Sequence, residues 1–155
     1  MTILQRLTSI AMSLVICATL TGWPSNGVQS APATAKAYFA GGCFWCMEEA
    51  FEKVDGVLGA VSGYMGGTVA NPTYEEVSAG RTGHAEAVEV TYDPTKVTYQ
   101  KLLDAFWRNV DPVTPNAQFC DHGTQYRAAI FYSTDEEKRL SEESKRAIEE
   151  SKRFP

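Results

Sequence analysis

Between Ala37 and Tyr132 the apolar residues switch several times between strand spacing and helix spacing. The order of those switches limits the fold more than any other property of the chain. Strand side chains alternate faces, whereas a helix brings residues three and four apart onto one face. Ala37-Tyr38-Phe39-Ala40 reads as a short strand. From Cys43 to Val54, Phe44, Met47, Phe51 and Val54 share a helical face that Asp55-Gly56 terminates. Val57 to Met65 has strand character, loosened by Gly59 and Gly63 and turned by Gly66-Gly67. Asn71 to Gly83 is loop-like, with one helical turn at Tyr74–Ser78. From Glu86 to Tyr92, Ala87, Glu89 and Thr91 alternate with Val88, Val90 and Tyr92, which predicts a half-buried strand stopped by Asp93-Pro94.

Thr98 is placed to cap the next helix, where Leu102, Leu103, Phe106, Trp107 and Val110 form a wide apolar stripe. Asp111 to Gly123 is a loop, and Arg127 to Tyr132 is a strand. Thr134-Asp135-Glu136-Glu137 reads as a capping box opening a charged helix to Arg153, braced by Glu142–Arg146 and Glu149–Arg153 pairs. The order is β-α-β-β-α-β followed by a helix. This pattern predicts an α+β, two-layer ferredoxin-like sandwich with an extra C-terminal helix.

The chain has 155 residues, enough for one domain, and 44% apolar residues support an ordinary core. A net charge of −5 argues against a nucleic-acid partner. Residues 1–30 differ from the rest: Arg6 is their one charge, Leu7 to Leu20 is mostly apolar, and small residues follow at Val28-Gln29-Ser30. This is the pattern of a secretory signal cleaved near Ser30, too short for the roughly 20 apolar residues of a membrane span. The expected product is exported to the periplasm or outside the cell, or membrane-anchored where the leader is kept. Residues 31–36 read as a linker, and 37–155 as the functional domain. Of the four cysteines, Cys17 lies in the leader, which leaves Cys43, Cys46 and Cys120. An odd count in an exported chain points to a working thiol rather than a purely structural framework.

Three segments carry chemistry. In Gly41-Gly42-Cys43-Phe44-Trp45-Cys46 a glycine pair precedes two thiols and two aromatics. A thiol in the first turn of a helix ionises more easily, because free backbone N–H groups favour the thiolate. Two thiols three residues apart also allow a disulfide. In Gly83-His84-Ala85-Glu86 a carboxyl leads a strand spaced for burial, and desolvation makes such a group a useful acid near neutral pH. Phe119-Cys120-Asp121-His122-Gly123-Thr124-Gln125-Tyr126 follows a long loop, with Tyr126 as a hydrogen-bond donor and Asp121 as an orienting group. Tyr74, in Asn71-Pro72-Thr73-Tyr74, is a weaker signal. Two other readings use the same residues. One is a general dithiol–disulfide oxidoreductase on Cys43 and Cys46. The other is a zinc-stabilised module using Cys43, Cys46, Cys120 and His84 or His122.

Taken together, Gly42-Cys43-Phe44-Trp45, Gly63-Tyr64-Met65-Gly66-Gly67, Asn71-Pro72-Thr73-Tyr74, Gly83-His84-Ala85-Glu86 and Asp121-His122-Gly123-Thr124-Gln125-Tyr126-Arg127 resemble the peptide methionine sulfoxide reductase A family. The resemblance runs from Tyr38 to Tyr132 and continues more loosely beyond. It implies an α+β enzyme without a cofactor that reduces methionine S-sulfoxide, free or in proteins. By that resemblance Cys43 is the nucleophile and Glu86 protonates the sulfoxide oxygen. Tyr74 and Tyr126 hydrogen-bond that oxygen. Phe44 and Trp45 form the methyl pocket, and Asp121 places the substrate backbone. The sulfenic acid left on Cys43 is resolved by Cys46, the nearer thiol, or by Cys120. A thioredoxin-like protein then reduces the disulfide. The chain is expected to be a monomer and to stop short of the family's usual C-terminal segment.

Overall fold

The computed structural model describes residues 33–154. The expected leader, and the Cys17 within it, lie outside the described residues. The first strand, β1 (Ala35–Gly41), leads into helix α1 (Phe44–Glu52) and strand β2 (Val57–Met65). Then come the short helix α2 (Tyr74–Ser78), β3 (Ala85–Tyr92) and α3 (Tyr99–Arg108). Two-residue strands β4 (Ala117–Gln118) and β5 (Asp121–His122) form a small hairpin. A single 3-10 turn (Thr124–Tyr126), strand β6 (Ala128–Phe131) and helix α4 (Asp135–Glu150) complete the described chain.

The main sheet has the order β2-β3-β1-β6, and each neighbouring pair is antiparallel. The result is a mixed α/β domain on an antiparallel sheet. The apolar face of α1 buries Phe44, Met47 and Phe51, and that of α3 buries Tyr99, Leu102, Leu103 and Phe106. These side chains meet Phe39 of β1, which stacks on Phe51 at 4.8 Å and on Phe106 at 5.5 Å between ring centroids. Helix α4 adds to α3 through Tyr99 Oη and Ser141 Oγ (3.1 Å) and through the Trp107 indole N–H donating to Ser144 Oγ (3.1 Å).

Several expectations change in the structure. Strand β1 starts at Ala35, so Ala35 and Lys36 belong to the sheet rather than to a linker, paired with Tyr92 and Thr91. Strand β3 is buried on both faces at its start, whereas Glu89 and Thr91 farther along stay partly exposed, as the alternation predicts. Ala87, placed on its polar side by alternation, packs with Ala85, Ala40, Met65, Ala129 and Phe131 in a second small cluster. Small residues make that possible, since alanines on adjacent strands leave room for one methionine and one phenylalanine. The stretch read as a plain loop from Asp111 to Gly123 contains the β4–β5 hairpin. On α4, Thr134 Oγ1 accepts from the Glu137 N–H, as a cap should, but the Glu137 carboxylate turns to the Ser133 N–H. Its ion pairs are Arg139 with Glu136 and Glu143, and Lys145 with Glu149, in place of the two expected pairs.

One consequence of this topology positions the site. In an antiparallel sheet of this order, β1 and β2 finish at the edge where β3 and β6 begin. The turn into α1, the β2–β3 connection with α2, and the hairpin and 3-10 turn before β6 all leave from that edge.

Candidate active site

Cys43 is the N-cap residue of α1, with φ −53° and ψ 115°, and the helix itself begins at Phe44 rather than at Cys43. Its carbonyl accepts from the N–H groups of Cys46 (3.1 Å) and Met47 (3.2 Å), while its side chain does not cap the helix. The thiol is therefore free for other chemistry, in a partly exposed position. Gly42, with φ +90°, makes the tight entry. A Cβ there would lie 2.5 Å from the Gln118 Cβ, so the β4–β5 hairpin sits directly against the residue before the thiol. Gly42→Ala should cost about 1–3 kcal/mol of unfolding free energy, from overpacking and from the strained backbone. Urea denaturation measures this, and an unchanged midpoint would show that the hairpin yields freely.

Glu86 is 3% exposed. Its carboxylate accepts the Phe44 N–H at 3.1 Å, a buried bond to one of the free donors at the start of α1. Burial pushes the Glu86 pKa up. The Phe44 hydrogen bond opposes this, and the Asp121 charge adds to it. A carboxyl held this way keeps its proton to higher pH than a solvated one, as a proton donor requires.

Aromatic rings cluster around Phe44, the residue that joins the two groups. Phe44 lies 5.3 Å from Trp45, 5.8 Å from Tyr64 and 6.4 Å from Tyr74, between ring centroids. Trp45 and Tyr74 stack at 6.3 Å, both exposed. Tyr74 opens α2, whose first turn is closed by a complete capping box between Thr73 and Glu76. Tyr126 belongs to the 3-10 turn, not to the start of a strand as expected. Its hydroxyl pKa is raised by burial and then by the charges of Glu86 and Asp121. The charge of Asp121 on β5 also contributes to raising the Cys46 pKa.

The thiols separate into two groups. Cys46 is pushed up first by hydrogen bonding to the Cys43 side chain, then by desolvation and by the charges of Cys43, Asp121 and Glu49. Cys120 occupies the exposed turn of the β4–β5 hairpin beside Phe119, whose φ is +54°. Among the described residues, no group of three or more His, Cys, Asp or Glu side chains is placed to hold a metal ion. His84, one of the ligands in the zinc reading, is engaged elsewhere. Its Nδ1 accepts the Gly67 N–H at 3.2 Å, and its Nε2 lies 2.8 Å from the Val69 carbonyl.

Three residues that hold the site had no distinct chemical signal. Gln118 is 1% exposed and clamps the Asp111 backbone twice, its Oε1 accepting from the N–H (2.7 Å) and its Nε2 donating to the carbonyl (2.8 Å). Gln125 donates to the Ser78 carbonyl at 2.9 Å, tying the 3-10 turn that bears Tyr126 to the helix that bears Tyr74. Tyr64 forms one wall of the aromatic cluster. Buried amides spanning two loops cannot be distinguished from surface amides by composition.

A thiol at a helix start, a buried protonatable carboxyl, tyrosine hydroxyls and a second thiol at the first define the class, a thiol-based oxidoreductase. The comparisons are more specific. The family model for peptide methionine sulfoxide reductase matches residues 35–155, and the chain belongs to that family. It is 52% identical over 119 residues to peptide methionine sulfoxide reductase MsrA of Halalkalibacterium halodurans, covering 77% of this chain and 68% of that protein. It is 58% identical to MsrA of Methanothermobacter thermautotrophicus, covering 77% of this chain and 70% of that one. The fold is similar to methionine sulfoxide reductase A of Corynebacterium diphtheriae, with TM-score 0.70 and 37% identity. That match covers 78% of this chain and 57% of the Corynebacterium chain. Reduced Mxr1 of Saccharomyces cerevisiae gives TM-score 0.71 at 31% identity, covering 76% of this chain and 70% of the other.

Proposed function

We propose that this chain is a peptide-methionine (S)-S-oxide reductase in which Cys43 attacks the sulfoxide sulfur while Glu86 gives its proton to the sulfoxide oxygen. The observation that carries this reading is the buried Glu86 carboxyl bonded to the N–H of the residue directly after the thiol. That bond fixes the acid beside the nucleophile. Phe44 and Trp45 provide an apolar wall for the substrate methyl group, and Tyr74 and Tyr126 direct hydroxyls at the oxygen. Asp121 sets the substrate backbone. The products are methionine and a sulfenic acid on Cys43, so the oxygen moves from substrate sulfur to enzyme sulfur.

The Cys46 thiol then attacks that sulfenic sulfur, water leaves, and a Cys43–Cys46 disulfide forms. Cys46 is favoured over Cys120 because it lies on the same helical turn as Cys43, its N–H donating to the Cys43 carbonyl at 3.1 Å. A dithiol of the thioredoxin type, taking the oxidising equivalents, restores both thiols. The reaction needs no cofactor and runs in a monomer. The all-antiparallel order β2-β3-β1-β6 supports a ferredoxin-like assignment for the core. The apolar stretch Leu7–Leu20 supports an exported protein with a leader over residues 1–30. Retention of the leader would make it a membrane anchor.

The test uses the reduced protein, a peptide containing methionine sulfoxide of either epimer, and no added reductant. One equivalent of the S epimer should disappear per protein, and peptide mass mapping should find Cys43 joined to Cys46. Consumption of the R epimer alone would overturn the stereochemical assignment. A Cys43–Cys120 disulfide would move the resolving role to the hairpin.

A further inference from the structure

Tyr64 belongs to the aromatic cluster, yet the reaction as described assigns it nothing. It sits near the end of β2, directly across the strand pair from Glu86 of β3. Side chains paired across antiparallel strands project from the same face, so the Tyr64 ring and the Glu86 carboxyl rise together from the sheet. The ring also packs at 5.8 Å from Phe44, whose N–H holds the carboxylate. The tyrosine body is partly buried against the main core.

We propose that Tyr64 is a positioning residue for the proton donor: its ring, beside Glu86 and against Phe44, keeps water off the carboxyl and holds it protonated for catalysis. The proposal rests on the reading of Glu86 as the donor. Two facts agree with it. Desolvation is the first cause of the raised pKa at both Glu86 and Tyr64. The charge of Glu86 is the next cause at Tyr64, so the two groups are electrostatic neighbours.

Other titratable groups face this region from each surrounding element. Asp121 comes from β5, Tyr126 from the 3-10 turn, Tyr74 and Glu75 from α2, and the Cys43 and Cys46 thiols from the start of α1. The cation of Arg127 is engaged by the carbonyls of Thr124 (2.7 Å) and Gly83 (3.1 Å). With Asp121 disfavouring a second negative charge, shielding from water is the factor that a single side chain at position 64 controls.

The experiment combines the pH profile of kcat/KM with an infrared titration of the Glu86 carboxyl band, identified by its loss in Glu86→Gln. Tyr64→Ser admits water, so the Glu86 midpoint should fall by about one pH unit and neutral-pH kcat/KM by about tenfold. Tyr64→Phe keeps the ring and should keep the wild-type midpoint. Tyr64→Leu, which retains apolar bulk, should fall between them and serves where the serine variant does not fold. An unchanged midpoint in a folded Tyr64→Ser or Tyr64→Leu protein overturns the proposal. So does a Tyr64→Phe midpoint displaced as far as that of Tyr64→Ser, which would assign the effect to the hydroxyl. Failure of the underlying reading looks different: Glu86→Gln would retain activity while the infrared midpoint still responded to position 64.

Discussion

Cys43→Ser should remove turnover of a methionine S-sulfoxide peptide, with kcat/KM falling by about 10⁴-fold or more, while the protein remains folded. The Cys43 side chain makes no capping bond, and the first helical bonds go to its carbonyl, which serine retains. The substitution therefore leaves the entry to α1 intact. What it removes, in the proposed mechanism, is the polarisable sulfur that forms a bond to the substrate sulfur and carries away its oxygen. A hydroxyl at that position ionises far less readily and gives no sulfenic acid. Steady-state assays with dithiothreitol as reductant measure the loss, and circular dichroism checks the fold. Activity within about tenfold of wild type would place the nucleophile at another thiol.

Glu86→Gln should lower kcat/KM at neutral pH by about 10²- to 10⁴-fold, the usual contribution of a positioned general acid. Glutamine can still accept the Phe44 N–H through its amide oxygen, so the local structure is preserved. It has no acidic proton to give. The sign of the pH dependence follows from the direction of the shift. The Glu86 pKa is raised, chiefly by burial, and in the proposed role of proton donor its neutral form is the active one. Wild-type kcat/KM should therefore hold at low pH with respect to this group and decline as pH rises through the raised pKa. The variant should lack that decline. A Glu86→Gln enzyme with an unchanged pH profile would mean that another group, with Tyr74 and Tyr126 the nearest alternatives, supplies the proton.

Much of the local structure is legible in the residues because its causes are local. Strand β2 starts after Asp55-Gly56 and stops at Gly66-Gly67, and the helical turn falls at Tyr74–Ser78, where the residues place them. Thr98 caps α3 and Thr134 caps α4, because a hydroxyl before a helix satisfies donors three residues ahead. The chemical residue types at Cys43, Cys46, Glu86 and Asp121 also stand out, since thiols and carboxyls among apolar or glycine-rich neighbours have few bland explanations. Burial is less legible. The alternation in β3 predicts one wet face, which Glu89 and Thr91 keep in part, but Ala87 is covered by Met65 and Phe131, which arrive from other strands. Surface ion pairs on α4 also differ from those expected from spacing. Several partners lie at helical spacing, and side-chain conformation selects among them.

The case of Tyr64 shows where sequence reasoning stops. Periodicity identifies both β2 and β3 and leaves their relative alignment open. The pairing starts with Val57 opposite Tyr92, and an irregularity at Leu58 then puts Gly59 opposite Thr91. Counting without that bulge would set Tyr64 against Ala85. With it, Tyr64 faces Glu86. A one-residue slip moves a side chain to the opposite face of a sheet. The chain's own residues determine which groups are available, namely the thiols, the acid and the aromatic rings. Tertiary pairing alone decides that a tyrosine from one strand shields a carboxyl on the next, because register is set by contacts between segments distant in the chain.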